Sequence, residues 1–396
     1  MSAMQNRPED LSGRRILSLG GCHNQTGCAW DTCTSITTCG NLEHERESGK
    51  SLRGLTGLEA MRSKKRKIVS PVAALVAALL VTGASIGQMK GAAAYQVPAA
   101  PGKDQIIRVG VVQMNARVLD KSYNLKQAEE LIRQAAAQGA KIVLTPESAV
   151  QGYPRVNLQP GESVNAPSLV AGRKRILAAA ETIPGPATRR FSELARKLGI
   201  WIVFGMDENR NGELFNTAVL MNPQGQIAGT YSKVHLQNWM VASGIHHGDG
   251  FPVWDIDVDG VHVKLGIEIC YDVQHPESTL ELALGGAEVV FIPYCTDDFS
   301  RPLLIHLFET TALENRVDIV RANFASPRNT GTSSIINYEG QTVRQLGSGS
   351  GVLVGNIDLT ALRKTRAAWN PVYGLPNRYP AAYMRLRGLQ SGSSGR

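Results

Sequence analysis

From Ile106 onward the chain alternates short β-branched runs with segments of helical period, and this alternation narrows the fold more than any other feature. Ile106 to Gln113 (IIRVGVVQ) reads as a strand. Tyr123 to Gln138 carries Leu125, Ala128, Leu131, Ile132 and Ala135 at the spacing of an amphipathic helix, and Gly139 closes it. Ile142 to Leu144 reads as a short buried strand with Glu147 just past its exit. Residues 154–185, Pro/Gly-rich at both ends, read as an irregular insertion over the mouth of a site, with a short helix at Lys174 to Thr182. A helix at Ala187 to Leu198 follows, then a strand at Ile200 to Gly205. Strands at Phe215 to Met221 and Ile227 to Lys233 are joined by a Pro-Gln-Gly turn, and strands at Val253 to Asp257 and Val261 to Ile269 by Asp259-Gly260. Helix Pro276 to Leu284, strand Val289 to Pro293, helix Pro302 to Asn315 and strand Ile319 to Asn323 resume the α/β alternation. Three late strands, near Ser334 to Tyr338, Thr342 to Leu346 and Gly351 to Ile357, finish the core. Many strands, several hairpins and helices between only some strands predict sheets packed face to face with helices outside. A single domain over about 104–370 fits this better than two, leaving 371–396 as a tail rich in Pro, Tyr and Arg.

Charge and cysteine usage divide the 396 residues at about position 94. The formal net charge is +8, from 42 Lys/Arg and 34 Asp/Glu. Residues 1–94 hold 12 of the basic and 7 of the acidic residues, leaving 30 against 27 for the rest, about +3. A body so nearly balanced has no basic footprint for nucleic acid. Four of the six cysteines, Cys22, Cys28, Cys33 and Cys39, fall at the start, at spacings unlike the short knuckles of structural zinc. Residues 1–60 read as disordered or as a mis-assigned start. Counted from Met61, the basic run Arg62 to Lys67, the apolar stretch Ile68 to Gly87 and the small residues Ala92 to Ala94 read as a secretory signal over 61–94. The alternative is an uncleaved anchor, because 68–87 approaches the roughly 20 residues that span a bilayer. Either reading puts the body outside the cytoplasm: periplasmic, secreted or membrane-anchored.

Three short strings carry the chemistry. TPES (Thr145 to Ser148), YSKVHL (Tyr231 to Leu236) and GIEICYD (Gly266 to Asp272) each follow a predicted strand, and their Glu147, Lys233 and Cys270 lie 86 and then 37 residues apart. A thiol attacks as thiolate, so it needs a carboxylate to take its proton and a cation to hold the charge that develops. The expected dry, cationic setting would keep the thiolate of Cys270 accessible near neutral pH. An isolated cysteine is by default a packing residue. Its place at a strand exit, with both partner strings upstream, favours the nucleophile.

On these strings, together with the opening RVGVVQMNA, the GDG at 248–250, GIEICYDVQHPE and ALENRVDIVRAN, the body resembles the nitrilase (carbon–nitrogen hydrolase) superfamily over Ile106 to Asp358. The resemblance implies an α/β fold, a four-layer α-β-β-α sandwich that usually dimerises. It also implies a Glu-Lys-Cys triad working without metal or organic cofactor. Carried over, Glu147 would be the general base, Lys233 the oxyanion stabiliser and Cys270 the nucleophile, with a backbone N–H near Tyr271 assisting. Cys270-Tyr271-Asp272 resembles the amidase and carbamoyl-amide branch, whereas the GDG is more usual in nitrilases. The implied activity is hydrolysis of a small amide or carbamoyl amide with release of ammonia or amine; the alternatives are a nitrilase and a binding protein that kept the fold without activity. Many relatives carry a second glutamate after the lysine string; here Val241 or a neighbour occupies that place. Glu268, on the strand face in phase with Cys270, could replace part of that charge or could pair with Lys264 or a backbone group.

Among other single residues, Tyr153, Tyr271 and Cys295 are the candidates for lining the substrate pocket, and Trp239 could contact substrate or simply pack. Asn315 and Arg316 are expected to brace loops. His246, His247 and Asp249 invite a metal reading, but adjacent residues of an extended segment point apart and no third ligand follows, so none is assigned.

Overall fold

The structure, a computed structural model, describes residues 104–163, 165–296, 304–327 and 329–373. The N-terminal segments 1–60 and 61–94, their four cysteines and the end of the tail lie outside the described residues. In chain order the strands are β1 (Ile106–Gln113), β2 (Ile142–Leu144), β3 (Trp201–Arg210), β4 (Glu213–Met221), β5 (Ile227–Ser232), β6 (Val253–Val258), β7 (Val261–Ile267), β8 (Val289–Pro293), β9 (Asp318–Ala322), β10 (Ser334–Ile336), β11 (Thr342–Gln345) and β12 (Gly351–Asp358). The helices are α1 (Lys121–Ala137), α2 (Pro167–Ala179), α3 (Pro186–Leu198), α4 (Asn238–Ala242), α5 (Pro276–Leu284), α6 (Leu304–Asn315) and α7 (Leu359–Tyr373), with a 3-10 turn at Cys270–Gln274.

Two six-stranded sheets form, ordered β12-β1-β2-β3-β4-β5 and β11-β10-β9-β8-β7-β6. Each has a parallel centre, β1-β2-β3 in one and β7-β8-β9 in the other, flanked by antiparallel strands. Parallel strands covered on both sides need apolar residues on both faces, which is why β2 and β8 read as continuous runs without alternation. Ile142 and Leu144 of β2, with Val203 of β3 and Leu220 of β4, face Leu265, Ile267 and Val289 across the sheet-to-sheet core. Val143, Ile202, Phe204 and Val219 face the other way, against Leu131 and Ile132 of α1 and Phe191 of α3. Helices α5 and α6 cover the second sheet. The result is the α-β-β-α sandwich that the strings implied. Each fully buried Val, Leu, Ile or Phe contributes about 1.5–3 kcal/mol, so this double core holds the strand ends, and whatever they carry, in fixed register.

Several elements depart from the sequence expectation, among them α2, β3 and α7. Helix α2 begins at Pro167 rather than Lys174 and ends at Ala179. Gly172, a poor helix former, interrupts the apolar pattern that would have shown the first turns. Strand β3 runs on to Arg210 because Asp207 to Arg210 pair with Glu213 to Asn216 in the hairpin, although they are polar. Helix α7 was not foreseen, and it carries the described body past 370 to Tyr373. Among the described residues no helix is long and apolar enough to cross a membrane.

Candidate active site

The loop after β2 carries Glu147 onto the floor of a buried site. Its backbone is tied to both sheets: Thr145 N–H donates to Val203 O (2.9 Å) and Glu147 N–H to Tyr294 O (3.4 Å). The loop lies directly on β3 because that strand offers Gly205 there. A Cβ at Gly205 would sit 2.5 Å from Pro146 O and 3.0 Å from Glu147 Cα. Glu147 is wholly buried. Its Oε1 accepts from Lys233 Nζ and from Asn216 Nδ2, each at 2.7 Å. Its Oε2 has no hydrogen-bond partner among the described residues. One oxygen is thus anchored, and the other is available to take a proton. Ser148, held at φ 45°, donates its hydroxyl to Asp207 Oδ1 (2.6 Å). Burial, with the Glu147 charge adding, pushes the Asp207 carboxyl up to about 7.

Lys233 follows β5 directly and is also wholly buried. Its N–H donates to Asn216 O (2.8 Å) and its carbonyl accepts from Gly248 N–H (2.9 Å). The second contact requires glycine, since a Cβ on Gly248 would fall 1.9 Å from Ser232 O. Burial alone would lower the lysine's pKa. The charge of Glu147, with that of Asp272 behind it, more than reverses this and raises it. Lys233 is therefore an ammonium in the dry interior, compensated without the second glutamate. Val241, at that glutamate's expected place, lies on α4 with 53% of its surface exposed.

Cys270 opens the 3-10 turn beyond β7 at φ 51°, a left-handed conformation that is uncommon for a residue with a Cβ. What holds it there is Asp272. Its Oδ2 accepts from Ile269 N–H (2.9 Å) and Tyr231 Oη (2.6 Å), and its Oδ1 from His235 N–H (2.7 Å), with His235 Nδ1 3.1 Å away. Tyr231 and His235 bracket Lys233, so one buried carboxylate ties the cysteine turn to the lysine segment. Cys270 Sγ lies 3.8 Å from Cys295 O, to which it donates. The thiol's pKa is raised well above its ordinary value, first by burial and then by Glu147, with Lys233 pulling the other way. Burial and the neighbouring carboxylate thus work against the expected thiolate, while the ammonium of Lys233 works for it.

The other sequence candidates separate. Tyr153 is brought to the site. It is buried at φ 55°, and its phenol pKa is raised by burial and then by the charge of Glu147. Trp239 meets it edge to face with centroids 5.5 Å apart. Cys295 is buried beside Cys270, no disulfide joins them, and Asn329 Nδ2 approaches Cys295 Sγ at 3.2 Å. The Tyr271 ring instead stands edge-on to His275 at 4.8 Å, outside the pairings that join Glu147 to Lys233. Glu268 has neither expected partner. Its carboxylate accepts from Thr279 Oγ1 at 2.9 and 3.1 Å, while Lys264 pairs with Asp255 at 2.9 Å. The strand ends at Ile267, so the in-phase argument from alternation fails one residue too early. His246 and His247 diverge, one toward the Phe215 ring and one toward Val234 O. Asn315 and Arg316 reach Thr311 O and Tyr338 O, bracing the end of α6.

Sequence reasoning missed Asn216 and Asp272. Asn216 was signalled only as a polar residue inside an apolar strand. Asp272 was read solely as a subclass marker.

A family model described as carbon-nitrogen hydrolase matches residues 108–367. The chain belongs to the carbon–nitrogen hydrolase family. It is 31% identical over 278 residues to a protein of Pyrococcus abyssi named nitrilase, covering 66% of this chain and 93% of that one. It is 30% identical over 270 residues to Omega-amidase NIT2 of Danio rerio, covering 65% and 91%. The fold is that of the amidase from Nesterenkonia sp. AN1, with a TM-score of 0.57 at 24% identity over 73% of this chain and 99% of that one. This carbon–nitrogen hydrolase is thus similar to relatives named for amide and for nitrile chemistry alike.

Proposed function

We propose that the chain is an amidase-type hydrolase that cleaves a small amide or carbamoyl amide through a Cys270 thioester, with Glu147 and Lys233 as partners. One observation carries the reading: Glu147 has one oxygen fixed by Lys233 and Asn216 and the other unbonded, in a site where its charge acts on the buried Cys270 thiol. Burial favours the protonated thiol, and on this reading the proton moves as the substrate arrives. Cys270 Sγ attacks the carbonyl carbon while its proton passes to Glu147 Oε2. Lys233 and the first amides of the 3-10 turn, near Tyr271, stabilise the oxyanion. Collapse breaks the carbon–nitrogen bond, and the departing amine or ammonia takes the proton from Glu147. The same carboxylate then deprotonates a water that attacks the thioester. The acid leaves, and the proton returns to Cys270.

A nitrilase reading is favoured by the GDG at 248–250 and by the likeness to the Pyrococcus abyssi protein. The deciding experiment measures ammonia release from amides, carbamoyl amides and nitriles, using protein that starts near Tyr95, with Cys270→Ala as control. Amide turnover lost in the variant supports the proposal, and preference for a nitrile supports the alternative. A folded protein without turnover and with an unreactive Cys270 would mean a non-catalytic relative. Export and homodimerisation belong to the same reading; cell fractionation and light scattering test them.

A further inference from the structure

We infer that Asp207 is a positioning residue for the reaction: through Ser148 it fixes the loop that carries Glu147, and its charge state sets how readily the Cys270 proton moves to Glu147. This rests on the amidase reading and adds a residue that reading does not use.

The loop from Glu147 to Tyr153 is wrapped around Asp207. Ser148, in the left-handed region at φ 45°, donates its hydroxyl to Asp207 Oδ1 at 2.6 Å. Gln151 brackets the backbone of Asp207, accepting from its N–H at 2.9 Å and donating to its carbonyl at 3.1 Å. The carbonyl of Ser148 accepts from Gly152 N–H at 2.8 Å and from Tyr153 N–H at 3.2 Å, which closes the turn. A left-handed residue with a Cβ persists where its surroundings hold it, and the bond to Asp207 is the side-chain anchor of Ser148. A second route reaches Glu147 from the adjacent strand. Asp207 stands directly opposite Asn216 across β3 and β4, on the same face of the sheet, and Asn216 Nδ2 donates to Glu147 Oε1 at 2.7 Å.

Asp207 is buried, and its Oδ2 has no hydrogen-bond partner among the described residues. The charged groups packed around it are engaged elsewhere. Glu181 accepts from Lys121 and from Ala187 N–H, Glu208 accepts from Arg210 and Thr217, and Lys233 is bonded to Glu147. Burial pushes the Asp207 carboxyl up to about 7; the Ser148 hydroxyl pulls it down, and the charge of Glu147 adds a smaller rise. Such coupling is reciprocal: a charge that resists ionisation of Asp207 is itself acted on once Asp207 ionises. Below about pH 7 Asp207 is a neutral acid that serves only to hold Ser148. Above it, Asp207 is an anion behind Glu147, and a proton arriving on Glu147 relieves the repulsion between the two. Transfer from Cys270 is then easier.

The test follows two rates from about pH 5.5 to 8.5, spanning the ionisation of Asp207. They are kcat on the preferred amide of the ammonia-release panel and alkylation of Cys270 by iodoacetamide, in the wild type, Asp207→Asn and Ser148→Ala. Both wild-type profiles should carry an upward inflection near 7, with a rise of about threefold or more. Asparagine keeps an acceptor for the Ser148 hydroxyl and cannot ionise, so its profiles should lack the inflection and fall below wild type at alkaline pH. Ser148→Ala removes the bond that eases ionisation of Asp207, so the inflection should move to higher pH. The loosened loop should also lower kcat about tenfold. An Asp207 that merely packs would change the urea midpoints of the variants and leave the inflection in place. Amide turnover with the same inflection in all three proteins would therefore overturn the role of Asp207 and leave the amidase proposal standing. A wild type that hydrolyses no amide, but whose alkylation inflection disappears in Asp207→Asn, would sink the amidase reading and keep the coupling. No hydrolysis and no difference in alkylation would overturn both.

Discussion

Replacing Glu268 by Gln should stabilise the protein at alkaline pH and leave it nearly unchanged at pH 5. Glu268 stands one residue beyond β7, wholly buried, with only the Thr279 hydroxyl on its carboxyl oxygens. Burial, and then the charge of Asp272, push its pKa from 4.5 to about 8, against a smaller lowering by Thr279. The folded chain therefore keeps a proton that the unfolded chain releases between these two values. Within that window each pH step of one costs about 1.4 kcal/mol of stability, and above about 8 the loss stops growing. Across the whole window the ceiling is about 5 kcal/mol, which relaxation and water entry reduce to roughly 2–3 kcal/mol. Glutamine keeps the shape of the neutral acid and has no proton to lose, so its stability escapes this slope. Asp207 and Asp318, pushed by burial to about 7 and about 8, carry the same sign. Both proteins share those contributions, and the difference between them isolates Glu268. Urea titrations followed by circular dichroism at pH 5, 7 and 9 would show the Gln variant gaining roughly 2–3 kcal/mol over the range. A constant difference, or a Gln variant that weakens relative to wild type above pH 7, would refute the reasoning, because Glu268 would then be ionised and bonded. The pH profile of turnover should not move, since Glu268 bonds to neither Lys233 nor Glu147. A shift would revive the idea that it supplies the missing glutamate's charge.

Asp272→Asn removes the charge that gathers Ile269, Tyr231 and His235, and should cost about 3–5 kcal/mol together with most of kcat; a wild-type melting temperature would contradict this. Gly205→Ala places a Cβ 2.5 Å from Pro146 O. Overpacking of this kind costs about 1–3 kcal/mol, and displacement of Glu147 should lower kcat by about tenfold or more, read from urea midpoints and steady-state rates side by side. Val241→Glu lies on an exposed helix face and should change stability by no more than about 0.5 kcal/mol. Its pH–rate profile should match wild type; a shifted profile would show that α4 closes over Lys233 during turnover.

The fold was legible where one face or both faces of a strand leave a pattern in adjacent residues. β8 and α5 match their expected bounds because Pro276, Gly285 and the five-residue apolar run Val289 to Pro293 mark them locally. The far half of β3 was not legible, because its polar residues are held by a hairpin partner and Asp207 is buried by the loop of Ser148 and Gln151. The same division runs through the site. Glu147, Lys233 and Cys270 could be found because each ends a recognisable strand. The geometry that makes them a unit could not be, because it is made of bonds between distant segments. Asp272 shows the limit. Its contact to Ile269 N–H is local and could be guessed from an acid placed two residues after the cysteine. Its contacts to Tyr231 and His235 come from a strand end in the other sheet. They exist only because the order of strands in the two sheets brings the ends of β5 and β7 face to face. A spacing of 37 residues does not encode that proximity; the strand order does. The compensation of Lys233 comes first from Glu147, beyond β2 in its own sheet, and then from Asp272 beyond β7 in the other, rather than from its own loop.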